Sequence, residues 1–237
     1  MSKHSKWAKV KHAKGAADVK KGVTFTKHSR AITVAARSGG DPAKNFKLRL
    51  AIEAAKADAV PKDTIERAIR RGTGEDKEGA QIEELLYEGF GPGGVGILIE
   101  VVTDNKNRTS SDLRQILEKY GGSLAGSGAV AWQFYKAGVF RLTAQKSDEL
   151  DLQLIDLGAQ DLKEEDGGLT VYTKPEDWAK VNEGLAKLGL KIDYAGLDWV
   201  AKQTVSLTDP AAEEKLAALY QALEDHDDVQ NYFTNEL

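Results

Sequence analysis

Residues Leu85 to Val102 read LLYEGFGPGGVGILIEVV, and this stretch decides the fold class of the chain. Its two apolar segments, Leu85–Tyr87 and Val95–Val102, flank the turn sequence Gly91-Pro92-Gly93-Gly94. Short apolar runs on either side of a glycine- and proline-rich turn are typical of β-strands. The residues before position 73 show helical spacing instead. The stretch therefore marks the change from a helical segment to an α+β segment.

The turn also matches G-x-G-x-x-G, the phosphate-binding pattern of dinucleotide-binding proteins, over Gly91 to Gly96. That pattern binds phosphate when its loop follows a strand and opens a helix, because the phosphate then meets the helix N-terminus. Here the loop opens the apolar segment Val95–Val102, and no Lys-Ser or Lys-Thr pair follows. A tight hairpin turn is therefore favoured over a nucleotide site.

Upstream of the turn, three helices are predicted. Residues 23–38 carry apolar residues at helical spacing. Asp41 followed by Pro42 is typical of an N-cap and first turn, and it predicts the start of a second helix. Asp63 and Glu66 have the spacing of a capping-box pair for a third. The N-terminal segment is therefore predicted to be all-helical.

Downstream, the pattern of residues 138–205 is β-α-β-β-α-β, which is the ferredoxin-like order. The tail holds one helix and one short strand that cannot bury their apolar faces alone, so we expect it to complete the middle domain. We predict an α+β multidomain protein, with an all-helical N-terminal domain followed by two ferredoxin-like α+β domains. The predicted domains are 1–80 (basic, helical), 81–137 plus 206–237 (discontinuous, α+β) and 138–205 (inserted, ferredoxin-like).

Charge is divided unevenly along the chain. Residues 1–72 hold 18 Lys and Arg against 6 Asp and Glu, a balance of +12, whereas the remaining residues balance at −16. The overall net charge of −4 hides this division. A basic segment joined to an acidic body indicates a polyanion-binding arm.

Several classes of site are excluded or disfavoured. The chain has no cysteine, which excludes disulfides, thiolate metal sites and cysteine nucleophiles. Its four histidines, His4, His12, His28 and His226, do not form a metal-binding or catalytic pattern with neighbouring residues. We predict no catalytic residues, no metal, no cofactor and no small-molecule substrate, and therefore no enzyme.

The predicted nucleic-acid contacts are the cations of the N-terminal segment and the polar and aromatic residues among them. On the first helix, Lys20, Lys27, Arg30 and Arg37 share an arc largely distinct from the apolar face. Trp7 lies in a lysine-rich segment, Lys3 to Lys14, which we call the leader. Its ring is suited to stack on an unpaired base, or else to anchor the leader to the helical domain. The full set is Lys3, His4, Ser5, Lys6, Trp7, Lys9, Lys11, His12, Lys14, Lys20, Lys21, Lys27, Arg30, Arg37, Arg67, Arg70 and Arg71.

A second candidate is an anion site at the start of the middle-domain helix, formed by Asn107, Arg108 and Thr109. Free backbone N–H groups and the positive end of the helix dipole favour a phosphate or a carboxylate there. The alternative is a well-capped helix that follows a polar loop.

The motifs of the chain also resemble those of one family. They are His4-Ser5-Lys6-Trp7, Lys11-His12, Phe25-Thr26-Lys27, Ala35-Ala36-Arg37-Ser38-Gly39-Gly40, Pro61-Lys62-Asp63, Ile65-Glu66-Arg67-Ala68-Ile69, Tyr87 to Val95 and Thr103 to Thr109. On these the chain resembles the YebC/PmpR family, which is related to the mitochondrial translational activator of cytochrome c oxidase subunit one. Two positions depart from the family pattern: Lys3 stands where Gly is usual, and Ala59-Val60 where Asn-Met is usual.

The resemblance implies a helical N-terminal domain, two α+β domains and a role in gene expression. Family members are usually labelled probable DNA-binding transcriptional regulators, whereas some relatives are ribosome-associated translation factors that act at difficult nascent sequences such as proline runs. We expect a cytoplasmic monomer that binds DNA or ribosomal RNA, with the ribosome as a further partner. No membrane partner is expected, because the longest apolar run is too short to span a bilayer.

Overall fold

The computed structural model describes residues 19–76, 82–165 and 167–237. Within them the chain forms two compact units. One consists of the residues up to 127 together with 209–232, and the other of 128–208 together with 233–237. No helix of the described residues is long and apolar enough to cross a membrane.

Three helices open the first unit: α1 (Val19–Ala36), α2 (Phe46–Ala57) and α3 (Lys62–Thr73). They bury a common core that includes Ile32, Leu48 and Ile65. A Cβ at Gly72 would lie 2.3 Å from the carbonyl oxygen of Thr33, so α1 and α3 pack backbone against backbone at this point. The predicted helical segment is present, and periodicity located its apolar faces correctly.

The predicted helix starts need correction. Asn45, not Asp41, caps α2, because its side chain accepts a hydrogen bond from the N–H of Leu48. The same amide donates to the carbonyl oxygens of Ala35 and Gly39, both at 2.7 Å, and so ties the α1–α2 connection together. The capping box at Asp63 is absent as well, since α3 begins at Lys62 with no side-chain cap.

A four-stranded sheet completes the first unit, in the order β3-β1-β2-β8. Its strands and helices are β1 (Glu83–Phe90), β2 (Gly96–Thr103), α4 (Lys106–Lys119), β3 (Ser123–Ala125), α7 (Pro210–Glu224) and β8 (Val229–Thr234). The chain order is therefore β-β-α-β followed, from the tail, by α-β. The prediction of a ferredoxin-like domain here was wrong, because the Gly91–Gly94 turn joins β1 directly to β2 as a hairpin and leaves no helix between them.

The second unit carries the other sheet, in the order β5-β6-β4-β7. Its elements are β4 (Phe134–Leu142), α5 (Asp148–Leu157), β5 (Ala159–Glu165), β6 (Gly168–Thr173), α6 (Trp178–Lys187) and β7 (Ile192–Ala201). All three strand pairs are antiparallel. This is the β-α-β-β-α-β order and the strand arrangement of a ferredoxin-like unit, as predicted for this stretch.

Candidate nucleic-acid interface

Much of the predicted interface lies outside the described residues. This is so for Lys3, His4, Ser5, Lys6, Trp7, Lys9, Lys11, His12 and Lys14. Lys20 and Lys21 belong to α1, but only their backbone is described. The structure therefore bears directly on six of the predicted cations.

Three of these six, Lys27 and Arg30 on α1 and Arg37 directly after it, make contacts within the first unit. Lys27 Nζ donates to the carbonyl oxygen of Glu224, the last residue of α7, at 2.6 Å. A cation is favourable there, because the C-terminal end of a helix carries negative partial charge. Arg37 donates in the same way to the carbonyl oxygen of Ile82. Lys27, Arg30 and Arg37 therefore contact the rest of their own unit.

Arg30 makes the strongest contact of the arc, through the buried carboxylate of Asp228. The Arg30 guanidinium donates to Asp228 Oδ1 at 2.6 Å and to the carbonyl oxygen of Asp227 at 2.7 Å. The Asp228 side chain is only 2% exposed. Charge-assisted hydrogen bonds of this length are among the stronger ones in proteins. Arg30 therefore connects α1 to the two residues that precede β8.

The other carboxylate oxygen of Asp228 accepts hydrogen bonds from the end of β2 and from the start of α4. Thr109 Oγ1 donates to Asp228 Oδ2 at 2.6 Å, Thr103 Oγ1 at 3.2 Å and the Arg108 guanidinium at 3.1 Å. Burial alone would raise the pKa of Asp228. The hydrogen bonds from Thr109 and Arg108, together with the charge of Arg30, outweigh burial and hold the pKa of the carboxyl below its ordinary value.

The predicted anion site therefore holds an anion that the chain itself supplies. Arg108 and Thr109 bind the Asp228 carboxylate, and Arg108 also donates to Asp104 at 2.9 Å. Asn107 is exposed and makes no hydrogen bond to that carboxylate in the described part of the chain. The helix start is also capped by the side chain of Asn105. The helix start is therefore well capped, and binding of an external anion by Asn107, Arg108 and Thr109 stays a prediction.

Sequence reasoning missed Asp228 and gave no structural role to its neighbour His226. His226 is largely buried, and its Nδ1 accepts from the backbone N–H of Asp228 at 3.1 Å. One signal was present, since Asp228 directly precedes the apolar strand β8. The cationic and hydroxyl partners lie more than a hundred residues away in sequence, and no local pattern points to them.

The remaining three cations lie on the exposed side of α3. Arg67, Arg70 and Arg71 are all exposed, and Ile65 and Ala68 form the buried side of the helix. Arg67 lies 3.7 Å from Asp63. The guanidinium groups of Arg70 and Arg71 have no ion pair or hydrogen bond among the described residues. This exposed side of α3 is the part of the predicted interface that the structure leaves open to a ligand.

Comparison with known proteins places the chain in a family over nearly its whole length. The model of the TACO1/YebC N-terminal domain matches residues 5–75, and that of the TACO1/YebC second and third domain matches residues 82–236. A Halothermothrix orenii protein is 46% identical over 99% of this chain and 94% of its own length. A Dehalococcoides mccartyi protein is 48% identical over the same shares. Both are named probable transcriptional regulatory proteins.

One solved structure is also similar to this chain over nearly its whole length. The crystal structure of a conserved hypothetical protein from Aquifex aeolicus superimposes with a TM-score of 0.85 and 40% sequence identity. The match covers 98% of this chain and 96% of the other. With both family models matched and relatives well above 40% identity, the chain belongs to the TACO1/YebC family.

Proposed function

We propose that this protein is a non-enzymatic, cytoplasmic regulator of gene expression that binds nucleic acid through its basic helical domain and acts as a monomer. The observation that carries the proposal is the concentration of positive charge, +12 over residues 1–72, with an exposed arginine side on α3. The names of its relatives, probable transcriptional regulatory proteins, support the regulatory role.

The contact set is narrower than the sequence alone predicts. It comprises Lys20, Lys21, the arginines of α3 and the predicted residues of the leader, which are Lys3, His4, Ser5, Lys6, Trp7, Lys9, Lys11, His12 and Lys14. Lys27, Arg30 and Arg37 are left out, because their side chains donate to groups of the same unit. The acidic remainder of the chain is repelled by phosphate, and it therefore orients the basic end toward the nucleic acid.

DNA and RNA differ as targets for such a surface. Sequence-specific reading of duplex DNA uses Asn, Gln or bidentate Arg contacts to base edges from an element that enters the major groove. The exposed side of α3 carries Arg67, Arg70 and Arg71 beside Asp63 and Glu66, and it has no amide side chain. This composition favours contacts of α3 to the sugar-phosphate backbone of a nucleic acid, and therefore binding without strong preference for a base sequence.

The second candidate function is therefore translational: binding of ribosomal RNA and relief of stalls at difficult nascent sequences. A cationic leader with an aromatic residue suits folded or single-stranded RNA, whose bases and phosphates are both accessible. On physical grounds we favour this RNA form over promoter binding, although the names of the relatives refer to transcription.

Crosslinking in cells, followed by sequencing of the recovered nucleic acid, separates the two. Recovery of ribosomal RNA without promoter DNA supports the translational form, and the reverse result supports the transcriptional form. A variant with Arg67, Arg70 and Arg71 changed to Gln serves as the control, since it should lose most of the specific signal. Equal recovery from this variant and the wild type would count against the proposed surface.

A further inference from the structure

Trp132 is an exposed aromatic residue that the basic helical domain does not account for. It is 67% exposed, more than any other large apolar side chain among the described residues. Tryptophan is usually well buried, so an exposed one needs a reason. Sequence reasoning did not single out this residue.

The turn that presents Trp132 is fixed by hydrogen bonds. Residues Ala131–Gln133 form one turn of 3-10 helix immediately before β4. The indole N–H of Trp132 donates to the carbonyl oxygen of Ala129 at 3.1 Å, which orients the ring. Lys202 holds the turn from the end of β7: its Nζ donates to the carbonyl oxygen of Trp132, and its backbone N–H to that of Gln133, both at 2.8 Å.

The charge around this turn differs from that of the acidic body. Residues 119–147 contain four basic residues and no acidic one, and residues 199–208 contain Lys202 and no acidic one. Beside the turn, Lys136 pairs across the sheet with Trp199, and its Nζ lies 5.3 Å from the centre of that ring. The exposed indole therefore lies on a turn held by Lys202, and the two sequence segments that form the turn carry cations and no acidic residue. The acidic residue beside them is Glu236, in the C-terminal segment that bonds to Gln133 and Val205.

An exposed ring beside cations is suited to one class of ligand. Unpaired bases stack on aromatic side chains, while nearby lysines attract the phosphates. A duplex cannot use such a ring, because its bases are already stacked on one another. An apolar protein segment is less well matched, because it gains nothing from the lysines.

We propose that Trp132 is a stacking platform for an unpaired base of a bound nucleic-acid strand, with Lys202 as the cation beside the strand's phosphates. Lys202 remains available because its bond to the turn is exposed, whereas the corresponding bonds of Lys27, Arg30 and Arg37 are part-buried. The proposal rests on the nucleic-acid-binding function proposed above. It adds a contact in the second unit, outside the basic helical domain, and it restricts the ligand to one with single-stranded nucleotides.

The test measures binding of fluorescein-labelled U12 RNA, dT12 DNA and a 12-base-pair RNA duplex to the full chain by fluorescence anisotropy. Trp132→Ala should weaken U12 binding about 10-fold, whereas Trp132→Phe, which keeps a ring, should stay within about 3-fold of wild type. Duplex binding should change less than about 2-fold. Leu152→Ala is the matched control, because Leu152 is 65% exposed in the same unit but lies on α5 beside carboxylates.

The outcomes distinguish failure of the stacking platform from failure of the proposed function. An equal loss of affinity for U12 and dT12 supports stacking on the base without selection of the sugar. A loss of affinity for U12 alone supports a platform restricted to RNA. Wild-type affinity of Trp132→Ala for both single strands, or an equal loss on the duplex, overturns the platform while leaving the proposed function intact. Failure of the wild type to bind any probe overturns both. Thermal unfolding of each variant checks that it is folded.

Discussion

At the scale of single residues, Asp228 holds several segments of the first unit together. Its two oxygens accept from Arg30, Arg108, Thr103 and Thr109, which belong to α1, to the strand β2 and to the start of α4. A buried carboxylate is costly unless it is paired and hydrogen-bonded, and here both conditions are met. The residue therefore joins three separate segments of the chain to the start of β8.

Asp228→Asn should lower the free energy of unfolding by about 2 kcal/mol, because it removes the negative charge that compensates the two guanidinium groups. The measurement is urea-induced unfolding followed by circular dichroism. Asp227→Asn, one residue earlier and exposed, is the control and should change stability by less than about 0.5 kcal/mol. Equal effects of the two substitutions would refute the central role of Asp228.

The same carboxylate predicts a pH dependence. Its pKa is lower in the folded chain than in the unfolded one, so its contribution to stability is fully present above the unfolded value of about 3.9. It is lost as pH falls through the lowered folded pKa. We expect the stability difference between wild type and Asp228→Asn to shrink as pH falls below about 4. Chemical unfolding between pH 2.5 and 6 tests this, and a constant difference would contradict it.

Ala59 is a second informative residue, because its φ of 57° lies in the left-handed region. It follows the C-terminal end of α2, where Gly or Asn is favoured, and it stands where the family pattern has Asn. Ala59→Gly should raise the free energy of unfolding by about 1 kcal/mol, because it removes the contact between Cβ and backbone that this conformation imposes.

Ala54→Gly serves as the control for Ala59. It lies exposed inside α2 and should lower stability by about 0.5–1 kcal/mol. Thermal unfolding of both variants measures the contrast. A loss of stability in Ala59→Gly similar to that in Ala54→Gly would show that the left-handed conformation is not strained.

At the scale of elements, α1 and α3 use their cations differently. Lys27 and Arg30 of α1 donate to carbonyl and carboxylate oxygens of the same unit, whereas Arg67, Arg70 and Arg71 of α3 line an exposed side. Helical periodicity separated the cationic arc of α1 from its apolar face, and that separation is correct. It did not show that Lys27 and Arg30 donate to residues of the tail of the same unit.

Changing Arg67, Arg70 and Arg71 together to Gln should weaken nucleic-acid binding about 10-fold at 0.1 M salt. The slope of log K against log[salt] should become shallower by about 2 to 3, because each lost phosphate contact removes close to one unit. Changing Lys174, Lys180 and Lys187 to Gln, exposed cations of the second unit, removes the same charge and should have little effect. Similar losses in both triple variants would mean that only net charge matters.

At the scale of the whole molecule, the division of charge along the chain determines which end of the protein binds a polyanion. The +12 of residues 1–72 attracts phosphate, and the −16 of the remainder repels it. The acid-free turn at Trp132 is a local exception within that acidic remainder. Binding is therefore expected to be oriented and strongly dependent on salt.

For the wild type, log K should fall with log[salt] at a slope of about −4 to −7. Replacing Lys3, Lys6, Lys9, Lys11 and Lys14 by Gln should make the slope shallower by about 4, because five phosphate contacts are lost. The same five positions changed to Arg keep the charge and should keep the slope. Titrations at four salt concentrations measure it, and a flat wild-type dependence would exclude the leader as the binding arm.

The sequence by itself determined the features that depend on near neighbours. The apolar spacing before position 73 predicted the helices, the Gly91–Gly94 turn predicted a hairpin, and the alternation in residues 138–205 predicted the ferredoxin-like order. Each of these rests on backbone preferences and side-chain periods that a window of a few residues contains. The ferredoxin-like order was wrongly predicted for the middle domain as well. The predicted hairpin turn already excluded a helix between the first two strands of that domain.

Only the tertiary structure decided which charges are free and which are paired. Arg30 and Asp228 are 198 residues apart in sequence and 2.6 Å apart in the fold. Periodicity shows which residues share a face, but it does not show what packs against that face. In the folded chain Lys27, Arg30 and Arg37 donate to groups of their own unit, and the arginines of α3 are exposed. Trp132 lies on a turn that no sequence pattern marked.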